Sequence, residues 1–374
     1  MANLKRYLPL LIIAALVAGI QLLVTLTGHK FYLTQLTMSA YYTIVVIGLC
    51  MLMGYAGQIS LGHAGFFAIG GYVSAALTTA DFYPLTKGAI GRLMVHIGWI
   101  SVGKDVYGAD IGHLTPWLAF FAAIIATVII AYLIGIPVLR LKGHYLAMAT
   151  LGFGSIIYKI VLGTKVFGCA DGIANVPAFG LTHGLNVSGN MGARISNYYI
   201  AWFLVLLAAL LMHNLVHSRA GRALRSIHGN EEAAAAMGVD VARYKLTLFV
   251  ISAVFASVAG IFLTHYNGGI GPSEASIMKS VRYVAIVAVG GMSNLWGAIL
   301  ASVTLNFLSL RGYFGSFDEA VFGGILVLVM LFAPNGILVK TGVFKNIGSV
   351  IRKIHRGDTE STEKSKTGFP LSRK

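Results

Sequence analysis

Gln58, Ser60 and His63 stand within six residues of one another in an otherwise apolar run, and Gly290, Gly291, Ser293 and Asn294 interrupt a second such run. Polar groups set among apolar helices face a cavity or a bundle interior by default. Gln58, Ser60 and Asn294 either touch a polar solute or cap broken helices. His63 is either a hydrogen-bonded packing residue or a ligand or proton carrier. His213, His217 and His228 gather in sequence, but no acidic residue stands at ligand spacing, so no metal site is assigned. The chain has no G-x-x-x-x-G-K-[ST] loop, no H-E-x-x-H, no paired C-x-x-C and no G-x-S-x-G turn. No catalytic residue is assigned either. These groups suit recognition and passage of a solute better than making or breaking bonds.

A different kind of chemistry belongs to 217–245, a charged island between two apolar runs. The whole chain is 11 % charged, yet the island holds five basic and three acidic residues and must lie in water. Asn230 can cap a helix that opens with Glu231 and Glu232, whose charges suit the positive end of the helix dipole. Ala233 to Met237 continue it, and Gly238 fits the left-handed residue that ends a helix. Asp240 offers an N-cap to the next apolar run. The spacing predicts a short helix of about 10 Å with mostly alanine on its surface. It is either an ordinary ordered loop or a plug for another protein's groove. Arg219, Arg222 and Arg225 share one helical face, fit to anchor on anionic lipid or to meet a partner.

The elements that hold these residues are membrane spans. The chain has 374 residues, 57 % of them hydrophobic, where soluble domains sit nearer 45–50 % apolar and about 25 % charged. Cys50 and Cys169 show no metal spacing, and the net charge of +15 is not gathered into a nucleic-acid patch. Apolar runs predict spans at 7–27, 36–53, 54–80, 116–139, 145–162, 198–215, 245–266 and 320–338. Gly54 and Gly57 are read as breaking the second from the third, and Ser60, Ala64 and Ala68 as a small-residue packing stripe. The run 281–310 is read as a half-helix going in at 281–289 and another coming out at 295–310, because Gly290 to Asn294 divide it. The expected fold class is an all-α integral membrane protein, a polytopic helical bundle of about eight full spans plus a re-entrant or broken helix pair. Two domains are expected, a transmembrane unit at 1–340 and a basic tail at 341–374. Two basic residues at the start, two in the turn 140–144, five in the island and nine at 340–374 fall on one side, 18 of the 28 Lys and Arg. That asymmetry puts the island and both termini in the cytoplasm.

Four stretches resemble the branched-chain amino acid permease family of ATP-binding-cassette importers, M-type. They are G-Y-A-G-Q-I-S-L-G-H-A-G-F-F-A-I-G-G-Y at 54–72, L-R-L-K-G-H-Y-L-A-M-A-T-L-G-F-G at 139–154, G-R-A-L-R-S-I-H-G-N-E-E-A-A-A-A-M-G-V-D-V-A-R-Y-K at 221–245, and V-G-G-M-S-N-L-W-G-A at 289–298. The E-A-A, three residues, G pattern of importer coupling loops stands at Glu232-Ala233-Ala234 and Gly238. The resemblance implies a permease that translocates branched-chain amino acids through the bacterial inner membrane. It implies a second homologous permease, two cytoplasmic ATPases that bind ATP and Mg, and an external or periplasmic binding protein as partners, with membrane lipid and no nucleic acid. No cofactor is expected on this chain. Contact with the ATPase falls to Gly221, Arg222, Glu231, Glu232, Ala233, Ala234 and Gly238. The candidate substrate path takes Gly57, Gln58, Ser60, His63, Gly290, Gly291, Ser293 and Asn294. Ala235 stands where the family often has glutamate, and the outer loop 81–115 is longer than usual. Two other readings compete: a urea or short-amide permease of the same type, and an ion-coupled secondary transporter, which would need a buried carboxylate that the spans lack.

Overall fold

Lipid offers backbone groups no hydrogen-bond partner, so apolar runs of this length close on themselves as helices. The computed structural model describes residues 2–332, apart from 87, 89–94, 97, 105–109, 142 and 183. Its main helices are α1 (Ala2–Leu26), α2 (Phe31–Ala56), α3 (His63–Thr79), α4 (Pro116–Val138), α5 (His144–Gly163), α6 (Arg194–His217), α7 (Arg219–Gly229), α8 (Glu231–Ala236), α9 (Val241–Asn267), α10 (Ile277–Gly290), α11 (Leu295–Leu310) and α12 (Asp318–Phe332). Among the described residues, seven helices are long and apolar enough to cross a membrane: α1, α2, α4, α5, α6, α9 and α12. The expected tail at 341–374 and the end of the last span lie outside the described residues.

The bundle is built around α2, which is apolar on every face and buried almost throughout, as a central helix must be. It packs against α6, α9 and α11, while α1 and α12 stay at the periphery with little burial. Hydroxyls tie the helices together where apolar contact alone gives no direction. Thr43 on α2 donates to Ser302 on α11 at 3.0 Å, and Thr127 on α4 donates to Ser257 on α9 at 2.9 Å.

The expected packing stripe is corrected by the structure. Ser60 lies outside any helix, and the close crossing is made by Gly70 and Gly71 of α3 against Ser257 and Gly260 of α9. A Cβ on Gly260 would sit 2.1 Å from the Phe67 carbonyl oxygen, so the two backbones touch.

Of the two glycines expected to break the second span from the third, Gly57 does so and Gly54 does not. Helix α2 runs through Gly54 and ends at Ala56, with Gly57 left-handed at φ +66°. Residues 57–62 then form a non-helical linker before α3 begins. Ser252 bonds His63 at the start of α3 and also packs on Gly48, eight residues before the end of α2. The linker has therefore climbed back about 12 Å into the bundle. Gly54 has another role: a Cβ there would lie 1.8 Å from the Met292 carbonyl oxygen, at the turn between α10 and α11.

The half-helix pair begins earlier than expected, at Ile277, and its turn lies beside the same end of α2 as the island. That end is called the island end below. At the far end, connecting segments form three two-stranded antiparallel pairs: Ile100–Lys104 with Asp110–Leu114, Phe179–Thr182 with Leu185–Val187, and Ile173–Ala174 with Gly269–Ile270. The expectation of helices alone missed these, but they decorate the loops and leave the helical architecture intact. Asp81 pins the first pair, accepting from the Tyr83 and Gly112 amides at 2.9 and 3.0 Å, and these bonds hold its carboxyl below the usual carboxylate range.

Candidate functional site

The island folds as two short helices fixed by side-chain caps. Ser218 accepts from the Gly221 amide at the start of α7, Asn230 from the Ala233 amide at the start of α8, and Asp240 from the Arg243 amide at the start of α9. Leu224 and Ile227 bury one face of α7 against α2, α6 and α9, leaving Arg219, Arg222 and Arg225 on the exposed face. Gly221 is buried, and a Cβ on it would lie 2.3 Å from the Val216 carbonyl oxygen, so its place is in the α6–α7 corner. Arg222 is exposed, while Arg225 bends back to donate to the Val216 and Gly221 carbonyls.

Helix α8 buries only Ala234. Glu232, Ala233, Ala235, Ala236 and Gly238 are exposed, and Met237 is 72 % exposed. Gly238 is left-handed at φ +83°, a conformation that a β-carbon strains. Glu231 pairs with Lys245 of α9, anchoring α8 from behind. Beside it an open groove of about 830 Å³ is lined by Tyr132 and Arg140 from the α4 side and by Glu231, Asp240 and Lys245 from the island. The arrangement is a small, shaped projection on a rigid mount.

The island also touches the linker. A Cβ on Gly57 would lie 2.9 Å from Nδ1 of His228 on α7. Gln58, the next residue, is 1 % exposed, and neither atom of its amide group has a hydrogen-bond partner. Ser60 and His63 are satisfied differently. The His63 ring bonds Ser60 Oγ at 3.1 Å and Ser252 Oγ at 2.6 Å, using both nitrogens. The Leu61 amide donates to Thr150 on α5, and the Ala64 amide donates to Ser280 on α10.

At the α10–α11 turn, Asn294 caps α11 by accepting from the Gly297 amide at 3.2 Å. The Ser293 and Met292 carbonyls accept from Tyr55 and Cys50 of α2. Gly291 has φ +96°, and Gly290 packs directly on Ala298. The two groups of path candidates thus meet α2 at one end of the bundle, the first at Gly57 and the second at Gly54. Of these residues Gln58 has the unmet polar capacity.

A third cluster was not anticipated. The segment after α9 drops from the far end to Glu274, whose carboxylate accepts from the Tyr42 hydroxyl at 3.2 Å, near the middle of α2. Lys279 of α10 donates to Glu274 at 2.9 Å and to the Tyr42 hydroxyl at 3.3 Å. Nearby, Arg282 pairs with Asp318, which also accepts from Ser309. Apart from Asp318 and Glu319 in the first turn of α12, the crossing helices carry no carboxylate, yet Glu274 enters the bundle from the segment between α9 and α10. The sequence signal was a Glu and a Lys five residues apart, which alone specifies nothing.

A family profile described as the permease component of branched-chain amino acid transport systems matches residues 31–334. The high-affinity branched-chain amino acid transport system permease protein LivM of Salmonella typhimurium is 30 % identical over 325 residues, covering 82 % of this chain and 69 % of that protein. The LivH permease protein of Escherichia coli K12 is 26 % identical over 318 residues, covering 83 % and 94 %. The BraD permease protein of Pseudomonas aeruginosa is 27 % identical over 330 residues, covering 84 % and 98 %. No solved structure matches the chain.

Proposed function

The chain belongs to the branched-chain amino acid transport permease family, and on that premise we propose that it is the membrane-spanning subunit of an ATP-driven importer of branched-chain amino acids. The island end and both termini face the cytoplasm of a bacterial cell, and the far end receives solute from an external binding protein. A second, similar permease completes the path. Two ATPase subunits dock at the island end, where they bind and hydrolyse ATP with Mg.

The observation that carries this reading is α8: six residues, three caps in its neighbourhood, one ion pair behind it, and alanine, Met237 and Gly238 in front. A pre-ordered projection loses little conformational entropy on docking. A ligand-driven change requires a differential interaction with two states, and an ATPase gripping α8 differently with and without ATP supplies one. Contact of His228 with Gly57 gives that grip a route to the linker.

Purification from native membranes is expected to bring down the ATPase pair; a stable protein without it rules out the subunit assignment. Gly238→Arg adds bulk and backbone strain at the front of the projection. It is expected to leave ATPase hydrolysis active while reducing uptake at least tenfold. Full uptake in this variant removes α8 from the coupling role. Competition of reconstituted leucine uptake by isoleucine and valine, and not by urea, tests the solute.

A further inference from the structure

The geometry points to Glu274, Lys279 and Tyr42 as a binding site for the zwitterionic head of an α-amino acid, midway along the bundle. This inference rests on the amino-acid reading above and specifies where the solute is held.

Three observations meet here. First, the charges are opposite and adjacent, with Lys279 Nζ 2.9 Å from Glu274 Oε1, and the Tyr42 hydroxyl bonds both. An α-amino acid carries the same two charges in reverse. Its carboxylate can take Lys279 and its ammonium Glu274, so the closed ion pair is exchanged for two intermolecular ones and net charge is conserved. Second, both side chains keep 19 % exposure although they reach the middle of α2, so neither charge is sealed in the core. Third, the Tyr72 and Tyr283 hydroxyls are buried and have no hydrogen-bond partner, and the Tyr283 ring stands 6.2 Å from that of Tyr42. Unpaired buried hydroxyls cost stability, and a strap between two segments needs neither of them. A bound carboxylate or ammonium would supply the missing partner. Phe67 and Tyr283, with ring centroids 6.0 and 6.2 Å from that of Tyr42, provide apolar surface for a branched side chain.

The test is equilibrium binding of labelled leucine to the reconstituted transporter without the external binding protein, with competition by leucinol and 4-methylpentanoate. In the unmodified transporter each analogue, lacking one charge, is expected to compete at least about tenfold more weakly than leucine. Glu274→Gln is expected to weaken leucine and to abolish discrimination against 4-methylpentanoate, which has no ammonium. Lys279→Gln is expected to abolish discrimination against leucinol instead. Tyr283→Phe covers the case in which a charge variant fails to fold: it removes an unpaired hydroxyl, so the protein stays as stable or gains stability, while leucine binding weakens. Wild-type affinity and discrimination in the variants, with leucine transport intact, make the cluster a structural strap and overturn the site alone. An unmodified transporter that carries urea or an amide but no leucine overturns the solute reading, and this site with it.

Discussion

Gln58 illustrates how a single residue can be both costly and informative. Its amide is enclosed at the start of the linker with neither polar atom paired, a state that costs about 1–3 kcal/mol per group. Gln58→Leu keeps similar volume and removes both groups. It is expected to raise Tm in detergent by roughly 2–4 °C while lowering uptake; unchanged uptake takes Gln58 out of the solute path. Residues of this kind were partly legible in the sequence. A glutamine in an apolar run is conspicuous, and Asn294 was readable as a possible cap because its partner, Gly297, is three residues away. Gly54 was misread as a helix breaker because the backbone it admits, at Met292, is more than two hundred residues distant. Glu274 was passed over for the same reason: Tyr42 lies 232 residues before it. Local chemistry shows in a sequence, while contacts across the bundle do not.

At the scale of elements, capping decides how firmly α8 is presented. Six residues are too few to hold a helix without outside help, and Asn230 with the Glu231–Lys245 pair supplies it. Asn230→Ala is expected to cost about 1 kcal/mol and so to weaken ATPase binding by about fivefold, measurable by titrating ATPase onto the solubilised permease. The far-end strands respond to pH instead. Asp81 has its carboxyl held below the usual range by the Gly112 and Tyr83 amides, so the folded form binds its proton later than the unfolded one. The stability it confers is complete above the ordinary carboxylate range and is lost as pH falls through the lowered value. Hydrogen exchange at 110–114 is expected to stay slow through mild acidity, whereas Asp81→Asn exchanges faster at neutral pH. The helices themselves were legible from apolar length, and α8 from its caps. The linker at 57–62 was not, since an apolar run reads alike whether the chain crosses once or climbs back part-way.

For the whole molecule, the two natural cysteines make a topology experiment possible. Cys50 is fully buried in α2 and donates to the Met292 carbonyl, and Cys169 is half-buried in the far-end segment after α5. A membrane-impermeant maleimide applied to intact spheroplasts is expected to label Cys169 and spare Cys50. Labelling of Cys169 only in inverted vesicles reverses the orientation proposed above.

The contact between His228 and Gly57 bears on how far such a machine can travel. His228 is the next-to-last residue of α7 and stands two residues before Asn230, the cap of α8, so the linker contact and the attachment of the projection lie at the same end of α7. With only Gly229 between His228 and that cap there is no lever arm, so the mechanical gain is close to one. Each ångström by which the ATPases draw α8 aside arrives at Gly57 as about an ångström, neither magnified nor absorbed. On the function proposed above, the stroke available to the solute path is then set by the ATPases, and the permease acts as their transmission.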